Sequence, residues 1–182
     1  MSDSRPADES ALLVAIPEAE LVIGQLRLRH DPAAARGVPA HVTILYPFAP
    51  ASELTDDVRL AVADLFRSRP PFEYRFEHVA RFDDGTVYLA PDTPESFRGL
   101  TDAAASRWPG FPPYGGVFDD VIPHLTVGHR LGNDADEVQK AAAEALRAQG
   151  PVTGRATEVV LMVAGSGGQW RIDSRHDLAG TA

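Results

Sequence analysis

The chain contains no cysteine. Disulfides and thiolate zinc sites are therefore excluded, and a cytoplasmic location fits. Long hydrophobic runs are also missing. The longest, such as Val159–Ala164, fall far short of a bilayer span, so no membrane role is expected. The first ten residues are polar and acidic, without the basic start and apolar centre of a signal peptide. They read as a disordered leader (1–10) before a single domain over 11–182. Positive charge is scarce as well: 17 Lys and Arg face 26 Asp and Glu, for a net charge of −9. A protein that grips long nucleic acid along many phosphates needs a basic surface. A small phosphoester, or only the end of an RNA, is the more economical ligand. No glycine-rich phosphate loop is present, since Gly165-Ser166-Gly167-Gly168 lacks both the lysine and the helix that must follow.

Against these absences stands one tripeptide pattern, found twice: His41-Val42-Thr43 and His124-Leu125-Thr126. Six histidines in a shuffled chain of 182 residues would give about 0.3 such matches. Each copy opens an apolar, β-branched run. Side chains alternate along a strand, so His and Thr two positions apart share a face. Two such strands brought together would present two imidazoles and two hydroxyls to one ligand. That set supplies an acid, a base and a pair of oxygen clamps for phosphoryl chemistry.

The rest of the chain reads as two cycles of similar elements. A strand at Leu12–Ile16 and a helix at Glu18–Arg29 precede the first His strand, near 40–46. A helix capped by Ser52 or Thr55 runs to Arg67, and an alternating strand begins at Phe72. Asp83-Asp84-Gly85 turns the chain into the strand Thr86–Ala90. The second cycle follows, with a helix (94–108), a Pro/Gly-rich loop (109–121), the second His strand and a helix from Asn133 or Asp134 to Gln149. Val152–Ala164 and Gln169–Leu178 read as a closing hairpin. The two motif histidines lie 83 positions apart, at about half the chain length. The expected architecture is α+β, with two pseudo-twofold lobes whose mainly antiparallel sheets flank a central cleft and whose helices lie outside.

This arrangement resembles the 2H phosphoesterase superfamily, which includes bacterial 2'-5' RNA ligases that act as RNA 2',3'-cyclic phosphodiesterases. The residues that carry the resemblance are Pro39-Ala40-His41-Val42-Thr43-Ile44-Leu45-Tyr46-Pro47-Phe48 and Pro123-His124-Leu125-Thr126-Val127, within a likeness covering about 12–178. It implies the 2H fold and in-line attack on a cyclic phosphodiester with no metal or cofactor. His41 would be the proton donor to the leaving ribose oxygen and His124 the base that activates water. The reverse division also fits. Thr43 and Thr126 would hold the non-bridging oxygens. The family often places an arginine five positions past the second histidine. Here His129 fills that place, and Arg130 follows. On an unbroken strand Arg130 would share the face of His124 and Thr126 and reach the phosphate.

Other residues have plainer readings. His30, His78, His129 and His176 lie outside the motif and read as surface or structural. Tyr46 and Phe48 point away from His41 and read as core. Tyr114 or Phe111, in the loop before the second motif, would stack on a base, or the loop is simply rigid. The expected activity is metal-independent opening of a 2',3'-cyclic phosphate, on an RNA terminus or a small cyclic nucleotide, to a 2'-phosphomonoester. The alternatives are an ADP-ribose cyclic phosphate as substrate, a non-catalytic RNA-end binding module, and reversible 2'-5' ligation. No obligate protein partner is evident, and a monomer is expected.

Overall fold

The computed structural model describes residues 8–118 and 120–181. In its first half a strand β1 (Ser10–Ala15) leads into helix α1 (Glu18–His30), a short α2 (Pro32–Ala35), strand β2 (His41–Leu45) and helix α3 (Asp56–Arg67). Strands β3 (Phe72–Arg81) and β4 (Val87–Pro91) then precede helix α4 (Glu95–Arg107), strand β5 (Leu125–Gly128) and helix α5 (Ala135–Gln149). Strands β6 (Val152–Ala156), β7 (Glu158–Ala164) and β8 (Trp170–Asp177) end the chain. The strands form two four-stranded sheets, β2-β1-β7-β8 and β5-β4-β3-β6, with every pairing antiparallel. The expected α+β bilobal fold is what the chain adopts. The first His-x-Thr segment lies in the edge strand β2 of one sheet, and the second leads into the edge strand β5 of the other.

Local chemistry explains the element boundaries. Glu18 and Glu20 in the first turn of α1, and Arg27, Arg29 and His30 in its last, complement the helix dipole. Thr55 caps α3 by accepting from the Val58 N–H at 3.3 Å. Gly150, at φ 87°, ends α5 where a side chain would be strained. In the β3–β4 turn the Gly85 N–H donates to the Phe82 carbonyl at 3.0 Å.

The helices are exchanged between the lobes. α1 follows β1 of the first sheet yet packs on β5 of the second, whereas α4 follows β4 of the second sheet and packs on β2 of the first. α3 covers β8 and α5 covers β3. One continuous apolar core therefore spans both sheets, from Leu12, Ile44 and Phe66 to Phe76, Phe97 and Leu125. Truncating one of its buried phenylalanines to alanine costs roughly 3–5 kcal/mol. No helix among the described residues is long and apolar enough to cross a membrane.

Two expectations need correction. Residues 1–7 of the expected leader lie outside the described residues, but 8–10 are held in the fold. Ser10 opens β1 and its hydroxyl donates to the Ala49 carbonyl at 2.5 Å, while Asp8 accepts from the Ser52 N–H and hydroxyl, both at 2.7 Å. The stretch Val152–Ala164 is not one strand. It breaks at Thr157, with β6 joining β3 in one sheet and β7 joining β1 in the other.

Candidate active site

Both motifs show the alternation that the sequence implied. His41 and Thr43 are half-buried while Val42 and Ile44 are buried, and His124 and Thr126 are half-buried while Leu125 and Val127 are buried. His41 opens β2, whereas His124 sits one residue ahead of β5. The two edge strands approach each other across the sheets, and the two histidines lie within electrostatic range of each other.

The histidines are oriented by the same device. Nδ1 of His41 lies 2.7 Å from the carbonyl of Pro39, and Nδ1 of His124 lies 2.7 Å from the carbonyl of Ile122. A carbonyl only accepts, so each Nδ1 carries hydrogen. In the neutral imidazole the lone pair is then on Nε2. Both rings thus keep Nε2 for proton transfer.

Their surroundings differ. Beneath the first motif lies Arg27 of α1, 1% exposed. Its guanidinium reaches Asp31 at 2.8 Å and Glu20 at 3.4 Å, and donates to the carbonyls of Thr126 at 3.1 Å and Val38 at 3.4 Å. Burial, then the nearby Arg27 charge, pull the His41 pKa down to about 4; the Pro39 hydrogen bond and Asp31 oppose this. His124 instead stands among aromatic rings. Phe82 and Tyr88 meet it edge-on at 5.0 and 5.5 Å, and Tyr114 stacks over it at 6.4 Å, with 23° between the planes. Burial also lowers the His124 pKa, against the Ile122 hydrogen bond.

Tyr114 links the motifs. Its ring lies over His124, and its hydroxyl hydrogen-bonds the Thr43 side chain. Its backbone is left-handed (φ 52°), an uncommon state for a non-glycine residue, and its N–H donates to the Tyr46 carbonyl at 2.6 Å. The 3₁₀ turn Pro113–Gly116 is thereby clamped against the end of β2. Phe118 packs edge-on to Tyr114 at 5.8 Å and stays 59% exposed. Phe111 goes the other way, into the core against Phe48 at 5.6 Å. Tyr46 is half-buried, with its hydroxyl on Glu9 at 3.0 Å.

Arg130 departs from the unbroken strand assumed for it. β5 ends at Gly128, Arg130 has φ 51°, and its guanidinium is exposed and meets Asp84 at 3.4 Å. Gly128, the last residue of the strand, leaves no room for a side chain, since a Cβ there would meet Leu131 at 2.8 Å and His30 at 3.0 Å. That close approach lets the His129 N–H donate to the His30 carbonyl at 3.0 Å, joining α1 to β5. Among the described residues one trio, Glu77, His78 and Asp92, has the spacing to hold a metal ion. Arg75 already pairs with Glu77 at 2.5 Å and Asp92 at 3.2 Å, and neither motif histidine belongs to the trio.

The profile of the 2'-5' RNA ligase superfamily matches residues 15–168. Among solved structures, the protein TT0787 of Thermus thermophilus is 18% identical, with a TM-score of 0.63 over 96% of this chain and 100% of that one. E. coli LigT complexed with 3'-AMP is 16% identical, with a TM-score of 0.57 over 94% of this chain and 98% of that one. LigT complexed with NADP+ is 19% identical, with a TM-score of 0.57 over 96% and 99%. At such identities the likeness shows a shared fold. No curated protein sequence matches significantly.

Proposed function

As a member of the 2'-5' RNA ligase superfamily the chain is an enzyme of the phosphoesterase/ligase type, and we propose that it opens a 2',3'-cyclic phosphodiester, on an RNA end or a small nucleotide, to a 2'-phosphomonoester. The observation that carries this reading is the matched pair of 2.7 Å Nδ1–carbonyl bonds. They leave two Nε2 atoms free to act as acid and base, each with a threonine hydroxyl two residues on. In the step, a water oxygen bonds to phosphorus as the bond from phosphorus to the ribose 3'-oxygen breaks. One imidazole takes a proton from the water and the other gives one to the 3'-oxygen. Thr43 and Thr126 hydroxyls would donate to the non-bridging oxygens, where charge develops. Tyr114 and the exposed Phe118 ring supply an aromatic wall beside His124, suited to a nucleobase. The acidic chain favours such a small ligand over a long polyanion.

Family resemblance puts the acid on His41 and the base on His124. One observation favours the reverse: the buried Arg27 cation near His41 disfavours its imidazolium and so favours the neutral form that a base requires. A bound phosphodiester anion would raise both imidazoles toward the working range.

The test is turnover of 2',3'-cyclic AMP in EDTA by wild type, His41→Ala and His124→Ala. Wild type should form the 2'-phosphate, and each variant should lose roughly 10²–10⁴-fold. A nucleoside 3'-(p-nitrophenyl phosphate) divides the roles, because its good leaving group needs no acid: the variant that keeps its rate there has lost the acid. No turnover by folded wild type on this or a cyclic-phosphate-ended oligonucleotide overturns the reading. Unchanged binding of that oligonucleotide by both variants would then mark a binding module.

A further inference from the structure

Arg27 takes no part in the chemistry above, yet it is the most completely buried charged side chain among the described residues. Its guanidinium is shared by both motifs. Nε donates to the carbonyl of Thr126, two residues past His124, and Nη2 donates to that of Val38, three residues before His41. Its ion partners extend the brace. Asp31 Oδ2 holds Nη2 at 2.8 Å, while Asp31 Oδ1 accepts from the Ala33 N–H at 3.0 Å and so starts α2. Glu20 Oε1 accepts from Nη1 and, at 2.6 Å, from the N–H of Ala40, the residue just before His41. Three charged side chains of α1 and its C-cap therefore fix the backbone leading into His41 and that of Thr126. Because α1 comes from one lobe and packs on the strand of the other, the brace ties the two lobes together.

We infer that Arg27 is a positioning residue, which registers the two His-x-Thr strands against each other and, with Asp31, sets the charge that His41 meets. A planar fork with several donors suits this work, whereas a lysine ammonium would reach fewer of the four acceptors. The groups that act on His41 are Arg27 and Asp31 from α1 and its cap, His124 from the opposite strand, and the Pro39 carbonyl. Ala15, opposite in the register, is apolar. Arg27 disfavours the imidazolium and Asp31 favours it. Removal of one or the other should thus move His41 in opposite directions, a pattern that mere filling of space would not produce.

The experiment uses the full chain as wild type, Arg27→Met, Arg27→Lys and Asp31→Asn. The imidazole of His41 is titrated by NMR, with its signals assigned by their loss in His41→Gln, and the pH profile of 2',3'-cyclic AMP hydrolysis is measured alongside. Arg27→Met should raise the His41 pKa and Asp31→Asn should lower it, each by about half a unit or more. Arg27→Lys should keep the pKa near wild type but lose roughly 10–100-fold in kcat, with KM little changed. The inference is overturned if Asp31→Asn and the folded Arg27 variants leave His41 titrating as in wild type, if all shifts share one sign, or if Arg27→Lys keeps full rate. Should Arg27→Met fail to fold, Arg27→Lys and Asp31→Asn still decide the matter. Only the kinetic half rests on the proposed reaction. Absence of wild-type turnover would sink that reading while the titration still judges Arg27.

Discussion

Arg27 and Ala104 occupy the same turn of α1 and α4. The Asp31 N–H donates to the Arg27 carbonyl at 2.7 Å, and the Trp108 N–H donates to the Ala104 carbonyl at 2.9 Å, so both pairs close their helices alike. In one lobe the pair is ionic and buried. In the other it is apolar: Ala104 is fully buried, and Trp108 packs edge-on to Phe48 at 5.0 Å. One backbone plan, used twice, thus has a charged foundation under β5 and a hydrocarbon one under β2. The ionic network under β5 also reaches the segment leading into β2, at Val38 and Ala40, so the Arg27 charge acts on His41, while His124 stands among aromatic rings. Two imidazoles in equal surroundings would titrate together. The proposed acid–base pair needs them different, and the Arg27 charge on one and the aromatic rings around the other make their surroundings unequal.

The largest effect should come from forcing the two helices to match. Ala104→Arg would force a cation into the apolar core in which Ala104 is fully buried. A destabilisation of roughly 3–5 kcal/mol is expected in urea unfolding. Near-wild-type stability would mean that the foundation of β2 tolerates charge, and the contrast would lose its physical basis.

A smaller effect follows from the proton affinities. The folded protein holds His41 near pKa 4, against 6.5 for the free side chain. Between those values the unfolded chain binds more protons, so stability present above about pH 6.5 is lost as pH falls toward 4. His124 and His176, lowered mainly by burial, act with the same sign. Asp8, Asp84 and Asp173 are held below their usual 3.8, so their contributions vanish only in stronger acid. Unfolding free energy should drop by on the order of 2 kcal/mol from pH 7 to 4.5. His41→Gln should flatten much of that slope. If the variant keeps the full drop, the slope does not come from His41.

How much of this was legible in the sequence depends on distance along the chain. The two tripeptides, their alternation and the two-lobed plan are local or repeated signals, and they appear in the structure. The split of Val152–Ala164 was not legible. Apolar residues continue on both sides of Thr157, and the change of sheet is decided by remote partners, β3 for one half and β1 for the other. Helix α1 was legible as a helix but not by face. Leu21 is 82% exposed while Arg27 is buried, the reverse of an amphipathic pattern, because the lobe that covers Arg27 comes from the other end of the chain. An Arg–Asp pair at i, i+4 ordinarily marks a solvated surface. Only the strand seated on it turns that pair into an internal brace.

The smallest effect contrasts that hidden arginine with the visible one. Arg130 drew attention because it follows the second motif, and alternation would have aimed it at the phosphate. The strand stops two residues earlier, at the glycine that admits His30, and the left-handed turn leaves Arg130 exposed on Asp84. Such exposed pairs contribute about 0–1 kcal/mol. Arg130→Ala should therefore shift stability by less than about 0.5 kcal/mol and cyclic-nucleotide turnover by less than roughly threefold. A larger loss, concentrated in KM, would show that Arg130 leaves Asp84 to meet the substrate. The phosphate would then meet a cation beside the second motif, one that the buried Arg27 does not supply.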